Sequence, residues 1–307
     1  MQRRDDSRRS DKAPSVVHPT NFLHAMRDAG YRGPAQAVAE LIDNAMEAGA
    51  SQVDVEVTQS HPGLEGIKVT VTDNGTGMSP AQLTNALSFG GSSRFNSRRS
   101  YGRFGMGLPA ASLSLARTVE VTTWRGAYTH TASLSLDHLP GAAAVPMIAS
   151  RRHANVSRPE SGTVVTLIDC DRVPYERLGW LLRSIKSHFG RLYCNELCDG
   201  IAITVNGEPV EPFDHLMLGA GANRHGEALE YELQGSSGTG LVRVEFSELP
   251  VLDWAALSTA EKAQRGIPTS SPFSITRLGR EIDRGWWFMG PKRRENYDSW
   301  WRCRIDF

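Results

Sequence analysis

Between Pro34 and Asp73 the spacing of apolar residues switches from a helical period to strict alternation, and that switch constrains the fold more than any other feature of the chain. Ala37, Leu41 and Ala45 recur four apart within residues 34–48, so they form a stripe on one face of a helix that Gly49 is suited to end. Directly afterwards "QVDVEVTQ" and "GIKVTVTDNG" alternate apolar and polar residues as half-buried strands do, with a turn at 61–66 between them. The same helix carries Glu40, Asp43 and Asn44 within about one turn. Three polar groups together on a helix that otherwise looks buried call for a chemical reason.

The rest of the chain follows the same mixed pattern. A helix ending near Gly30 precedes the one at Pro34. Ser79 as N-cap and Pro80 at the first helical position start a short helix, and "LPAASLSLARTVEV" returns to helix after the segment "GGSSRFNSRRSYGRFGMG", which has no packing pattern and reads as a mobile loop. Strands are expected at "TVEVTTWR", "YTHTASLSL" and "GTVVTLID". Within 175–193, Leu178, Leu181, Leu182, Ile185 and Phe189 make an amphipathic helix. Asn206-Gly207 is a hairpin signal, and beyond it strands are expected at about 229–234, 240–247 and 273–282. The domain boundary is placed near residue 205, with residues 1–15 as a disordered arm, 16–205 as one domain and 206–307 as a second.

Composition narrows the function classes. Lysine plus arginine and aspartate plus glutamate balance at 34 each, so no global field draws the protein to nucleic acid or to anionic lipid. No apolar run reaches the ~18–20 residues that span a bilayer, and "MQRRDDSRRSDKAPS" lacks the apolar core of a secretory signal, which makes a cytoplasmic protein the expectation. Cys170, Cys194, Cys198 and Cys303 show no metal-type pairing with histidine and are expected to be reduced, structural thiols.

Four short motifs carry the chemistry. Glu40 and Asn44 share a helix face; a carboxylate can take a proton from an attacking water, and a carboxamide oxygen can ligate a hard cation that keeps waters and phosphate oxygens. "VTDNGTGMS" puts Asp73 at a strand end, where a carboxylate can accept from an exocyclic amine such as that of adenine, and follows it with glycines that let backbone lie against a flat ring. "YGRFGMGLPAAS" sets Gly102, Gly105 and Gly107 before a helix whose free N–H groups attract phosphate. "SGTVVTLI" places Gly162 and Thr163 at a strand start, with the Thr163 hydroxyl able to reach a ring edge beside Asp73. Alone, each also fits a plainer reading: a solvated pair, a hairpin turn, a flexible loop, an ordinary strand threonine.

Taken in order, E-x-x-D-N, D-x-G-x-G, G-x-F-G-x-G and G-T resemble the nucleotide-binding boxes of the GHKL ATPase superfamily, which includes gyrase B, heat-shock chaperone ATPases, histidine kinases, MutL and MORC proteins; the resemblance covers about residues 20–205. It implies an α+β chain: a Bergerat-fold α/β sandwich, helices over one face of a mixed sheet, followed by a partial α/β transducer-like domain. It implies ATP and Mg2+ as cofactors, with Glu40 as general base, Asn44 on the metal and Asp73 reading adenine beside Gly75, Gly77, Met78 and Thr163. Gly102, Arg103, Phe104, Gly105, Met106, Gly107 and Leu108 are implied as phosphate-loop contacts, and Ser92, Ser93 and Arg94 as contacts from an ATP lid over Gly90–Tyr101. "NAMEAGAS" and "GRFGMGLPAAS" look most like the hydrolytic MORC-like branch and its prokaryotic relatives, which implies an ATP-dependent homodimer and, by analogy alone, DNA or phage defence, with no membrane. His18 and His24 lie outside any long dimerising hairpin, which sets histidine phosphotransfer below hydrolysis. A nucleotide-gated binding module with negligible hydrolysis stays open, because no transducer lysine is evident: Lys292 fits poorly, and the strand-like "WWRCRIDF" at the end leaves that lysine expected beyond residue 307.

Overall fold

The computed structural model describes residues 19–28, 31, 33–59, 66–90, 107–137, 148–152, 159–173, 178–235, 238–264, 273–277, 280–285 and 300–307. The elements run α1 (Pro19–Asp28), α2 (Pro34–Glu47), β1 (Gln52–Gln59), β2 (Ile67–Asp73), α3 (Pro80–Ala86), α4 (Gly107–Leu115), β3 (Thr118–Arg125), β4 (Tyr128–Ser135), β5 (Ile148–Arg152), β6 (Ser161–Ile168), α5 (Leu178–Leu192), α6 (Cys194–Cys198), β7 (Ala202–Val205) and β8 (Glu208–Pro209). They continue with β9 (Asn223–Arg224), β10 (Leu229–Gly235), β11 (Gly238–Glu248), α7 (Thr259–Gln264), β12 (Phe273–Arg277), β13 (Arg280–Arg284) and β14 (Trp301–Asp306). This is a mixed α+β chain built on two sheets.

The first sheet has the order β5-β4-β3-β6-β2-β1-β7-β8, antiparallel except where β7 lies parallel to β1. Register sorts its residues into rows on one face. Val69 stands opposite Leu167, Val71 opposite Val165, Val119 opposite Leu167 and Val121 opposite Val165, and all of them are buried. Ala37, Val38, Leu41, Ile42 and Ala45 of α2, Leu108, Ala111 and Leu115 of α4, and Leu181, Ile185 and Phe189 of α5 close the core over that face. The other face carries Thr70, Thr166, Glu120 and the Thr122–Thr131 hydroxyl pair at 3.0 Å, as expected of a sheet wet on one side.

Local chemistry explains the helix starts and turns. Ser79 accepts from the Gln82 N–H while the Gln82 side chain accepts from the Ser79 N–H, a closed capping box ahead of Pro80. Asn206 and Gly207 take φ of 49° and 77°, turning β7 into β8. The second sheet has the order β10-β11-β14-β12-β13, with β9 beside β11. The stretch 273–282, expected as one strand, instead contributes to two, β12 and β13, which pair antiparallel; no Asn-Gly-type signal lies between them. No helix among the described residues is long and apolar enough to cross a membrane.

β6 runs so close to β2 and β3 that a Cβ at Gly162 would meet the Asp73 carbonyl oxygen at 2.3 Å and the Trp124 ring at 2.5 Å. Gly162→Ala is therefore expected to cost about 2 kcal/mol or more, read as a lower urea midpoint at unchanged slope. An unchanged midpoint would show that these strands part freely.

Candidate functional site

The buried face of the first sheet turns polar at one end. Asp73 pairs with Thr163, and Thr163 with Thr123, so one row holds a carboxylate and two hydroxyls where the next row along holds Val71, Val165 and Val121. Asp73 is 8% exposed, and its Oδ1 accepts from the Gly75 N–H at 2.8 Å. Burial pushes its carboxyl above the usual range, opposed by hydrogen bonds from the Gly75 and Thr163 backbone. The Thr123 hydroxyl donates to the Gly162 carbonyl at 3.0 Å, accepts from the Met78 N–H at 2.8 Å and lies 3.2 Å from the Thr163 hydroxyl.

The loop 74–78 is packed rather than loose. Asn74 Oδ1 accepts from the Ser51 and Gln52 N–H groups at 2.9 and 3.0 Å, and Arg125 donates to the Thr76 and Gly77 carbonyls at 2.9 and 2.7 Å. Gly77 has φ +64°, and a Cβ there would fall 2.2 Å from the Trp124 carbonyl oxygen, so a glycine is required twice over. At Gly75 a Cβ would approach the Ala48 Cβ and Asp73 Oδ1 to 2.9 Å, which ties this loop to the end of α2.

Helix α2 presents its polar turn to the start of α4. A Cβ at Gly107, the first residue of α4, would lie 3.1 Å from Glu40 Oε2. The carboxylate is thus set against the first turn of a helix, the turn whose N–H groups have no acceptor within the helix itself. Burial foremost, then the Asp43 and Glu47 charges, raise the Glu40 carboxyl to about 7, with Arg280 opposing. The half-buried Asn44 has its side-chain nitrogen enclosed with no hydrogen-bond partner among the described residues. A carboxamide can turn by half a rotation and offer its oxygen instead, so an unsatisfied group here fits a cation or phosphate partner.

Asp43 faces elsewhere. Tyr193 Oη lies 2.9 Å from Asp43 Oδ1 and 2.8 Å from the Ala39 carbonyl, and Arg280 Nη2 donates to Asp43 Oδ2 at 2.7 Å. Burial drives the Tyr193 and Tyr31 phenols well above their ordinary value, and the negative charges of Asp43 and Glu40 add to it.

The structure therefore brings Glu40, Asn44, Gly107 and Leu108 together on α2 and α4, and Asp73, Gly75, Gly77, Met78 and Thr163 together at the sheet end. Ser92, Ser93, Arg94, Gly102, Arg103, Phe104, Gly105 and Met106 lie outside the described residues. Sequence reading missed Thr123, although continuing the inward phase of Val119 and Val121 by one step reaches it. It also missed Tyr193 and Arg280, which no local pattern marks.

The family described as histidine kinase-, DNA gyrase B-, and HSP90-like ATPase matches residues 31–163. MORC family CW-type zinc finger protein 3 of Mus musculus is 34% identical over 142 residues, 43% of this chain and 14% of the relative. DNA mismatch repair protein MutL of a Streptococcus agalactiae strain is 37% identical over 100 residues, 30% of this chain and 14% of the relative. Protein MICRORCHIDIA 5 of Arabidopsis thaliana is 33% identical over 109 residues, 34% of this chain and 15% of the relative. The chain thus matches under a sixth of the length of each of these relatives.

The raised Glu40 carboxyl makes a stability prediction. Below about pH 4.5 it is protonated folded and unfolded alike; as pH rises toward 7 the unfolded chain releases a proton that the folded one keeps, so folding loses stability across that window. Glu40→Gln should match the wild-type Tm at pH 4 and exceed it at pH 8. Equal melting at both values would remove the burial effect.

Proposed function

From the premise that the chain carries, over residues 31–163, a domain of the histidine kinase-, DNA gyrase B- and HSP90-like ATPase family, homologous to MORC proteins and MutL, we propose that it hydrolyses ATP at the site between α2, α4 and the polar end of the first sheet. The observation that supports this most directly is Glu40: a carboxyl raised to about 7 by burial and set against the first turn of α4. A group with a pKa near neutrality is suited to take a proton and hand it on.

In this reading Asp73 accepts from the adenine amine, while Thr163, its neighbour in the same row, offers its hydroxyl to the ring edge, and Thr123 behind it fixes the Gly162 carbonyl and the Met78 N–H. Gly75, Gly77 and Met78 let the loop lie flat against the base. The N–H groups at the start of α4, from Gly107 and Leu108, hold phosphate oxygens. Asn44 would hold Mg2+, which when bound neutralises charge on the terminal phosphates. Glu40 orients the attacking water and takes its proton. The packed groups around Glu40 keep other water away and hold the carboxylate at its post.

The wider role is a switch. With ATP bound, two copies associate, and hydrolysis releases them; the triphosphate acts by shifting the population between free and associated copies. Because one relative is named a DNA mismatch repair protein, a DNA-linked role is the first to test.

Glu40→Ala is expected to bind ATP as the wild type does and to release phosphate at least ~100-fold more slowly, measured by phosphate release beside nucleotide binding. Undiminished release would take Glu40 out of the mechanism. Wild-type binding without release would favour a nucleotide-gated binding module. Since the base must be ionised, kcat/KM should climb as pH rises through about 7 and level off above it, unless a step other than chemistry limits turnover.

A further inference from the structure

The second sheet reaches the proposed catalytic helix at Asp43. Arg280, the first residue of β13, donates from Nη2 to Asp43 Oδ2 at 2.7 Å, and its guanidinium carbon lies 5.3 Å from the centre of the Tyr193 ring. The two groups come from positions 237 residues apart, and both are largely enclosed, with side chains 16% and 6% exposed. The one proton of the Tyr193 hydroxyl is shared between the other Asp43 oxygen and the Ala39 carbonyl. Asp43 stands between Glu40, one turn earlier, and Asn44, the next residue, so the turn of α2 that carries both is gripped at its middle.

The hairpin that supplies Arg280 is itself fastened. Glu281, the next residue, accepts from Arg191 of α5 at 2.7 and 2.9 Å and lies 3.1 Å from His215 Nδ1. Burial alone would raise the Glu281 carboxyl, but hydrogen bonds from His215 and Arg191 hold it down to about 2. Ser274 of β12 accepts from Arg191 at 3.2 Å. Pairing runs from Ile275–Asp283 to Thr276–Glu281, which leaves Ile282 out of the ladder; such an extra residue re-aims the side chains beside it.

We propose that Arg280 is a positioning residue for the ATPase centre: from the second sheet it holds Asp43, and through Asp43 the orientation of Glu40 and Asn44, so that the seating of the β12–β13 hairpin on α2 governs turnover. This rests on the hydrolytic reading above. The groups assigned to the base, Asp73 and Thr163, stand on β2 and β6 of the first sheet, whereas Arg280 donates to Asp43 on α2, so nucleotide affinity and turnover should respond differently.

The test compares wild type, Arg280→Ala, Arg280→Lys, Asp43→Asn and the double variant Arg280→Ala/Asp43→Asn in the 307-residue chain, each at a temperature well below its own Tm. Binding of a fluorescent ATP analogue and kcat are both read. Arg280→Ala should keep its affinity within about threefold and lose about tenfold or more in kcat, Arg280→Lys should regain part of that loss, and the double variant should be no slower than the slower single. A folded Arg280→Ala with wild-type kcat, or a double variant whose loss is the product of the two singles, overturns the proposal. Should Arg280→Ala fail to fold, Arg280→Lys and Asp43→Asn decide it by the same split between kcat and affinity. If wild type binds ATP without hydrolysing it, the hydrolytic reading is what fails. Hydrogen exchange then judges Arg280: ATP should protect residues 39–44 more in wild type than in Arg280→Lys, and equal protection in both overturns the link.

Discussion

Helix α2 buries Asp43 to 4% exposure on a helix whose Val38, Leu41, Ile42 and Ala45 are pressed into the core, and this enclosed carboxylate sets the terms for much of the molecule. A charge removed from water costs several kcal/mol unless partners replace the lost hydration. None of the partners is local. Tyr193 comes 150 residues later and Arg280 another long stretch beyond it, so satisfying one side chain of α2 requires α5 and the second sheet both to be in place. The polar turn that looks out of place in a buried helix is therefore one point at which the second sheet is tied to α2, beside the Arg191–Glu281 pair that ties it to α5.

Glu40 shares that enclosure with a different balance. Asp43 receives donors directly on both oxygens, whereas the help to Glu40 from Arg280 is the field of a charge that is engaged with its neighbour. Burial raises both carboxyls; at Asp43 direct hydrogen bonds from Arg280 and Tyr193 oppose it, while Glu40 is raised to about 7. The first holds structure together, and the second is left able to exchange a proton near neutral pH.

How much of this could be read beforehand depended on how local its cause was. The helix at Pro34, the strands at 52–59 and 67–73, the capped helix at Pro80 and the turn at Asn206-Gly207 all follow from spacing or from one or two residues, and each was legible. The motif residues Glu40, Asn44, Asp73 and Thr163 were legible as a set because their order along the chain resembles a known one. The β12–β13 reversal was not, since Leu278 and Gly279 carry no strong turn signal and 273–282 reads as continuous strand. The Arg280–Asp43 contact was hidden for a different reason: it depends on how the second sheet meets α2, and nothing in either short segment encodes the other.

The sheet end makes the same point from the opposite direction. Asp73, Thr163 and Thr123 sit side by side only because β6 lies between β2 and β3, a strand order that chain order does not suggest. Side chains alternate with a period of two, so a one-residue slip of any of these strands would turn its polar residue to the outer face together with every valine in line with it. The register that buries Val71, Val165 and Val121 is the register that aligns the carboxylate with the two hydroxyls. Core packing thus enforces the site: a chain that misaligned the polar row would lose its hydrophobic rows at the same time, so the geometry that the proposed adenine contacts need is maintained by the larger energy of the core beneath them.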